Sequence, residues 1–229
     1  MGTNTDPYQP IESRYRITRQ MLEVCLDARH PVTITTKSDR VLADLDILGE
    51  MARKNLIAVA ISVTSLDPKL SRLVEPRAPS PIKRIAALET LTQAGVPTHC
   101  SIAPVIPAIT DDAMEGIVAR AAELGVTSAG WIPLRLPHEV APLFREWLET
   151  HFPDRKDKVM SIVRSIRNGK DNDPDFFTRL KPTGVWADLF RARFRVACRR
   201  AGIGDGKAKF ALDCSRFRAP MVDGQMRLL

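Results

Sequence analysis

Four short runs of β-branched and apolar residues begin near positions 32, 57, 98 and 128, and a stretch with helical periodicity lies between each pair. This alternation constrains the fold more than any other feature. A strand, a crossover helix and a second strand in one sheet pack back only as a right-handed parallel unit. The run Val32-Thr33-Ile34-Thr35-Thr36 is rich in β-branched residues. Residues 57–63 are almost entirely apolar, as expected of a parallel strand covered on both faces. Residues 98–105 and 128–136 supply the third and fourth strands. Ile17, Met21, Leu22, Cys25 and Leu26 fall on one helical face. Val41, Leu42, Leu45, Leu48 and Met51 fall on another, opened by Ser38 or Asp39 and stopped near Asn55. Further helices run from Ser80-Pro81 to Gly95 and from Thr110-Asp111-Asp112 to Gly125, then over 139–151 and 158–167.

Four strands are too few to close an eight-stranded barrel. The expected fold class is therefore α/β, a partial parallel (β/α) barrel or open sheet over residues 1–150. Residues 151–229 read as a basic, mainly helical extension in which Trp186, Leu189, Phe190 and Phe194 form an apolar face. Charge supports that division. Residues 1–150 carry 16 Lys and Arg against 18 Asp and Glu, a balance of −2, whereas residues 151–229 carry 18 against 9, a balance of +9. A basic segment of this kind suits either a solvated helical face or a nucleic-acid surface. No apolar run approaches the roughly 20 residues of a membrane helix, and no signal segment opens the sequence, so a cytoplasmic location is expected.

In parallel α/β sheets polar chemistry collects beyond the carboxyl ends of the strands. Four such ends stand out: Thr35-Thr36-Lys37-Ser38, Ser62-Val63-Thr64-Ser65, Ala103-Pro104-Val105 and Pro133-Leu134-Arg135. Lys37 at a strand tip before a helix start suits an anionic ligand. Alternation points Ser62 and Thr64 to one side. Pro104 inside a strand removes a ladder hydrogen bond and predicts a bulge. Arg135 suits a carboxylate or a rim salt bridge. His99 and Cys100 are adjacent, so they point to opposite faces and make no dyad. The polar segment Gly2–Glu12, with Asp6-Pro7 and Gln9-Pro10 as turn formers, reads as the tip of a strand leading into a helix. The four cysteines, Cys25, Cys100, Cys198 and Cys214, are scattered and form no Cys-x-x-Cys pair. They predict buried free thiols rather than a zinc ribbon or disulfide framework.

In order along the chain, Thr5-Asp6-Pro7-Tyr8-Gln9-Pro10-Ile11-Glu12, Ile34-Thr35-Thr36-Lys37-Ser38, Ser62-Val63-Thr64 with Glu75-Pro76-Arg77, and Ala103-Pro104-Val105-Ile106-Pro107 resemble the radical S-adenosylmethionine (radical SAM) proteins. The nearest branch is the one related to spore photoproduct lyase, the DNA repair photolyase-like proteins. Leu134-Arg135-Leu136-Pro137-His138-Glu139 and Leu212-Asp213-Cys214-Ser215-Arg216-Phe217 extend the resemblance toward the end of the sequence. It implies a partial (β/α)6 barrel, S-adenosylmethionine as cofactor, and a [4Fe-4S] cluster held by a Cys-x3-Cys-x2-Cys loop. It further implies cleavage of the sulfonium to a 5′-deoxyadenosyl radical, with lyase or DNA-repair chemistry. By the same resemblance Thr5 and Asp6 would receive the cofactor's amino group, Lys37 its carboxylate and Ser62 its ribose or carboxylate. Ala103 would bring backbone to its adenine.

No Cys-x3-Cys-x2-Cys spacing exists in the 229 residues. The expectation is a chain truncated before its cluster motif and inactive by itself, with no metal ligand of its own. A [4Fe-4S] cluster is expected only in a full-length parent. A missing first strand would also leave residues 32–36 as an unpaired edge, open to aggregation or dimerisation. The alternatives are a non-catalytic nucleic-acid-binding protein that uses the basic C-terminal region, and a cluster-free barrel enzyme working through Lys37 and Glu75.

Overall fold

The computed structural model describes residues 1–205 and 210–219. The chain order is α1 (Glu12–Tyr15), α2 (Ile17–Asp27), β1 (Val32–Thr36), α3 (Leu45–Arg53), β2 (Ile57–Ser62), α4 (Pro68–Val74), α5 (Pro81–Gln93), β3 (Thr98–Val105), α6 (Met114–Glu123), β4 (Ser128–Pro133), α7 (Val140–His151), α8 (Lys156–Ser165) and α9 (Gly184–Ala201). The four strands are parallel and lie in the order β1-β2-β3-β4. Sequential order with right-handed crossovers puts the helices on one face. This is the arrangement of a partial (β/α) barrel.

Pairing register explains why the two faces differ. Ile34, Val59, Ile61, Cys100, Ile102 and Ala129 pack into one core with Leu48 and Met51 of α3, Leu88 and Leu91 of α5, and Met114 and Ile117 of α6. The opposite face carries Thr35, Ala60 and His99 in one row and Ser62, Ser101 and Gly130 in the next. One face is bulky and apolar; the other is small and hydroxyl-bearing. The nearly all-apolar β2 turns Val59 and Ile61 to the helix-facing core, and Ala58 and Ala60 mark its inner side by size rather than polarity.

Several elements differ from expectation. Ser38 does cap the turn after β1, its hydroxyl accepting from the Arg40 N–H at 3.3 Å, but a 3₁₀ segment, Asp39–Asp44, precedes α3. The fourth strand stops at Pro133 rather than running to 136, because Pro137 and the left-handed His138 (φ 47°) already turn the chain. The expected irregularity around Pro104 is present as a register shift between Ile102 and Val105, with a cis peptide at Ala103–Pro104. The edge of β1 is not bare. The Met1 ammonium donates to Thr33 O (2.6 Å), and Thr35 N–H donates to Met1 O (3.0 Å). Gly2 makes this approach possible: its φ is +91°, and a Cβ there would sit 1.9 Å from Thr35 O.

The C-terminal helices join the same core. Ile162 of α8 and Ile166 just after it, with Phe190, Phe194 and Ala197 of α9, pack against the sheet-covering residues. Arg193 fastens α9 to α6. Its Nε and Nη2 donate to Glu115 at 2.7 and 2.9 Å, and Nη1 donates to Asp111 Oδ2 at 2.9 Å. A smaller core of Ile106, Leu136, Leu148, Val159 and Val163 lies beneath α7 and α8. At the amino ends of the strands, the segment 210–219 crosses the foot of the sheet. Asn55 Nδ2 donates to Ala211 O (2.7 Å), Asp213 N–H to Asn55 O (2.9 Å) and Arg218 N–H to Ala28 O (2.8 Å). The irregular segment expected over 210–229 lies outside the described residues beyond 219.

Candidate functional site

A cavity of about 890 Å³ lies at the carboxyl ends of the strands and crosses the sheet from β1 to β4. Thr5, Asp6, Lys37, Ser62 and Ala103 all line it. Arg135, beyond β4, lines its far end with Phe176 and Arg179. The volume is within the range of small-ligand sites. A depression of about 880 Å³ between α6 and α9 is lined by five alanines and Val196, with Glu115 and Arg193 tied up in the α6–α9 contact, Glu123 paired with Arg120, and Arg200 exposed. Small residues with no converging polar groups give a ligand little to recognise, so the strand-end cavity is the stronger candidate.

At the β1 end the Asp6 carboxylate is fixed by three donors. Oδ1 accepts from the buried Thr36 hydroxyl (2.6 Å) and the Tyr8 N–H (2.9 Å), and Oδ2 accepts from the Lys37 N–H (2.8 Å). A carboxylate has about four acceptor positions, so Oδ2 keeps capacity for an ammonium. Tyr8 anchors the loop from behind. Its ring is buried and its hydroxyl donates to Asp44 Oδ2 at 3.1 Å; burial, then Asp44, push the phenol pKa up. The sequence shows Tyr8 no apolar neighbour because its partners lie 36 residues away.

Lys37 is not a free loop cation. Its Nζ sits 2.5 Å from Glu75 Oε1. Glu75 Oε2 also accepts from Arg84 Nη1 (2.7 Å) and the Thr64 hydroxyl (3.0 Å). Arg84 is 1% exposed and donates further to Ser62 O (3.2 Å) and Pro79 O (2.8 Å). Burial alone would push the Glu75 carboxyl up, but Lys37 and Arg84 outweigh it and hold the group below its ordinary 4.5. The pairing expected to matter was Glu75 with Lys37. Lys37 is a partner; the second, Arg84, carries no sequence signal beyond its place near the start of α5. With one ammonium hydrogen directed at Glu75, Lys37 retains two others.

In the middle of the cavity Ser62 is buried, and its hydroxyl has no hydrogen-bond partner among the described residues. The same holds for Ser101, its register partner on β3. Thr64 is turned away instead, donating to Glu75 and Ala103 O. His99 faces the inner side and pairs with the Ser128 hydroxyl at 2.9 Å, while burial lowers its pKa; Cys100 is buried in the core. Ser101 and Arg179 are cavity residues that strand-end reasoning did not single out. Ser101 lies within a run already read as a strand; Arg179 comes from a loop with no local pattern.

An iron–sulfur cluster does not fit the residues present. Such clusters need closely placed thiolates. Cys25 is on α2, Cys100 in β3, Cys198 on α9 and Cys214 in the foot segment. Burial pushes Cys100 up to about 12 and Cys198 up to about 11, so both stay protonated at neutral pH. No group of three or more His, Cys, Asp or Glu able to hold a metal occurs among the described residues. No helix among them is long and apolar enough to cross a membrane. S-adenosylmethionine, by contrast, fits the observed features: an acceptor with spare capacity at Asp6, a partly engaged cation at Lys37, and the cavity-lining serines Ser62 and Ser101.

Comparison with known proteins bears on the same region. The chain is 33% identical over 169 residues to the uncharacterized protein Rv2578c of Mycobacterium tuberculosis, covering 72% of this chain and 49% of that protein. It is 36% identical over 111 residues to the uncharacterized protein MJ0683 of Methanocaldococcus jannaschii, covering 48% of this chain and 41% of that one. It is 32% identical over 131 residues to the uncharacterized protein ORF301 of Acidianus two-tailed virus, covering 55% and 42%. The chain therefore spans about half the length of the curated relatives it matches. A family model described as the Radical SAM superfamily matches residues 1–121, more than half of the sequence and the whole span from Asp6 to Ala103. The chain belongs to the radical SAM superfamily.

Proposed function

We propose that these 229 residues form the S-adenosylmethionine-binding body of a radical SAM protein of the spore photoproduct lyase-like branch, with cluster thiolates supplied by sequence outside them. The reading rests above all on the convergence of Thr5, Asp6, Lys37, Ser62 and Ala103, from four separate segments, on one cavity. The scattered cysteines and the half-length match to the relatives support the second part. Asp6 Oδ2 receives the cofactor's ammonium, Lys37 its carboxylate and Ser62 a hydroxyl or carboxylate oxygen. Thr5 borders the amino-group end, and Ala103 lets backbone approach the adenine. When bound, S-adenosylmethionine supplies a sulfonium that one-electron reduction can cleave; this chain's own residues orient it and hold its charges.

S-adenosylhomocysteine tests the site without a cluster. Isothermal titration should give one saturable site, weakened at least tenfold in Lys37→Gln and in Ser62→Val. Absence of saturable binding overturns the reading. The branch assignment is tested separately. A longer chain that includes a Cys-x3-Cys-x2-Cys loop, reconstituted anaerobically, should release 5′-deoxyadenosine with irradiated DNA and not with undamaged DNA.

The alternative of a nucleic-acid-binding protein draws on the exposed Arg199 and Arg200 of α9. Two other arginines of that helix are committed internally, Arg193 to α6 and Arg191 to Pro182 O and Asp188. DNA binding that stays within twofold from 50 to 200 mM salt, values chosen because phosphate contacts are steeply salt-dependent, argues against it.

A further inference from the structure

The far end of the cavity carries three arginines that make no ion pair among the described residues. Arg135 and Arg179 line it, and Arg167 is buried behind them, 5% exposed. The Nε of each of the three is buried without a hydrogen-bond partner. Arg167 spends its other nitrogens on positioning: Nη2 donates to Leu134 O (2.5 Å) and Nη1 to Arg179 O (3.1 Å), tying the segment before Arg135 to the loop that carries Arg179. Burial and then the positive charge of Arg135 lower the Arg167 pKa, with Asp173 opposing them.

The nearby carboxylates are engaged elsewhere. Asp171 pairs with Arg145 and Arg164, and Asp173 accepts from the Thr178 hydroxyl (2.6 Å) and the Asp175 N–H (3.0 Å). Among the described residues no carboxylate makes an ion pair with Arg135, Arg167 or Arg179. Like charges held together with buried, unsatisfied donors are costly unless a ligand completes them. Guanidinium forks match the paired oxygens of phosphate.

Sheet order separates this end from the cofactor end. β1, which carries Lys37, and β4, which leads to Arg135, are opposite edges of the sheet. Three interstrand spacings of about 4.8 Å put them about 14 Å apart. The family match ends at residue 121, before all three arginines.

The geometry points to an anion subsite formed by Arg135 and Arg179, with Arg167 as their positioning residue, that takes a phosphoryl group of the substrate. This rests on the cofactor reading above and gives it a substrate class, phosphate-bearing molecules. The phosphoryl group belongs either to a nucleotide phosphodiester or to a small phosphomonoester.

The experiment uses the 229-residue chain. Inorganic phosphate, thymidine 5′-monophosphate and the dinucleotide TpT are titrated by calorimetry, each against wild type, Arg135→Gln and Arg179→Gln, with S-adenosylhomocysteine run in parallel and circular dichroism confirming the fold. Saturable binding of phosphate and at least one nucleotide, weakened tenfold or more in both variants while S-adenosylhomocysteine binding stays within twofold, is expected. Stronger binding of TpT than of the monoester identifies the phosphodiester source, and the reverse the monoester. Binding of S-adenosylhomocysteine without phosphate binding overturns the subsite and leaves the cofactor reading standing. Loss of S-adenosylhomocysteine binding in Arg135→Gln also overturns it, by assigning that arginine to the cofactor. Phosphate binding without S-adenosylhomocysteine binding overturns the cofactor reading alone.

Discussion

Glu75 is the residue on which the cofactor end of the cavity turns. It balances Lys37 at the cavity wall and the wholly buried Arg84 behind it. Removing one partner of a buried charge cluster leaves the others uncompensated, which costs about 3–5 kcal/mol. Glu75→Gln should therefore unfold at lower urea at pH 7. Because the folded carboxyl titrates below its ordinary 4.5, the unfolded chain takes up that proton more readily. The stabilisation is fully present above about pH 4.5 and is lost as pH falls through the lower folded value. The gap between wild type and Glu75→Gln should shrink below that pH; a gap unchanged down to pH 3 would show that Glu75 carries no such charge. The thiols give a second expectation at this scale. Thiolate is the reactive form. At pH 8 the exposed Cys214 should react first with Ellman's reagent and the half-buried Cys25 more slowly, with Cys100 and Cys198 reacting only on denaturation. Lys37 and Ser62 were legible as site residues because a strand tip is a position that sequence periodicity locates. Arg84 and Arg179 were not, because long-range packing alone brings them there.

At the scale of elements, strand and helix identities followed from periodicity almost throughout, since both β-branched runs and i, i+4 spacing are local signals. What periodicity missed was α4, seven residues with Pro68 at its start, and the early end of β4. Its reading of β2 as apolar on both faces agrees with a strand buried almost throughout, with small Ala58 and Ala60 on the inner face. The α6–α9 contact depends on Arg193, whose guanidinium is held by two carboxylates and the Asp111 carbonyl. Hydrogen bonds to charged groups contribute about 1.5–3 kcal/mol, and partial exposure places this one toward the low end. Arg193→Ala should lower stability by about 1–2 kcal/mol in urea. It should leave S-adenosylhomocysteine binding intact, since α9 does not reach the cavity lining. An unchanged urea midpoint would show that the apolar contacts of Phe190 and Phe194 hold α9 alone.

Across the whole molecule, the two ends of the sheet have separate jobs. The carboxyl end carries the cavity, and the amino end is crossed by the 210–219 segment, with Phe217 edge-on to His30 at 5.3 Å between ring centres. That segment has no helical or strand periodicity, so its docking was illegible; its contacts are with Ala28, His30 and Asn55, over a hundred residues away. Truncation before Phe210 removes three hydrogen bonds at about 1 kcal/mol each. The melting temperature should fall by about 6–12 °C, with cofactor-analogue affinity unchanged; equal melting curves would show that the foot contacts contribute nothing.

The two-sided sheet divides the sequence into positions with different freedoms. Enlarging a side chain on the helix-facing rows spoils assembly. Enlarging one on the opposite rows, as at Ser62 or Ser101 on the cavity wall, reshapes what can be admitted. Descendants of this chain can thus change their preferred guest by exchanging a few alanines, serines and glycines, without renegotiating how the polypeptide holds together.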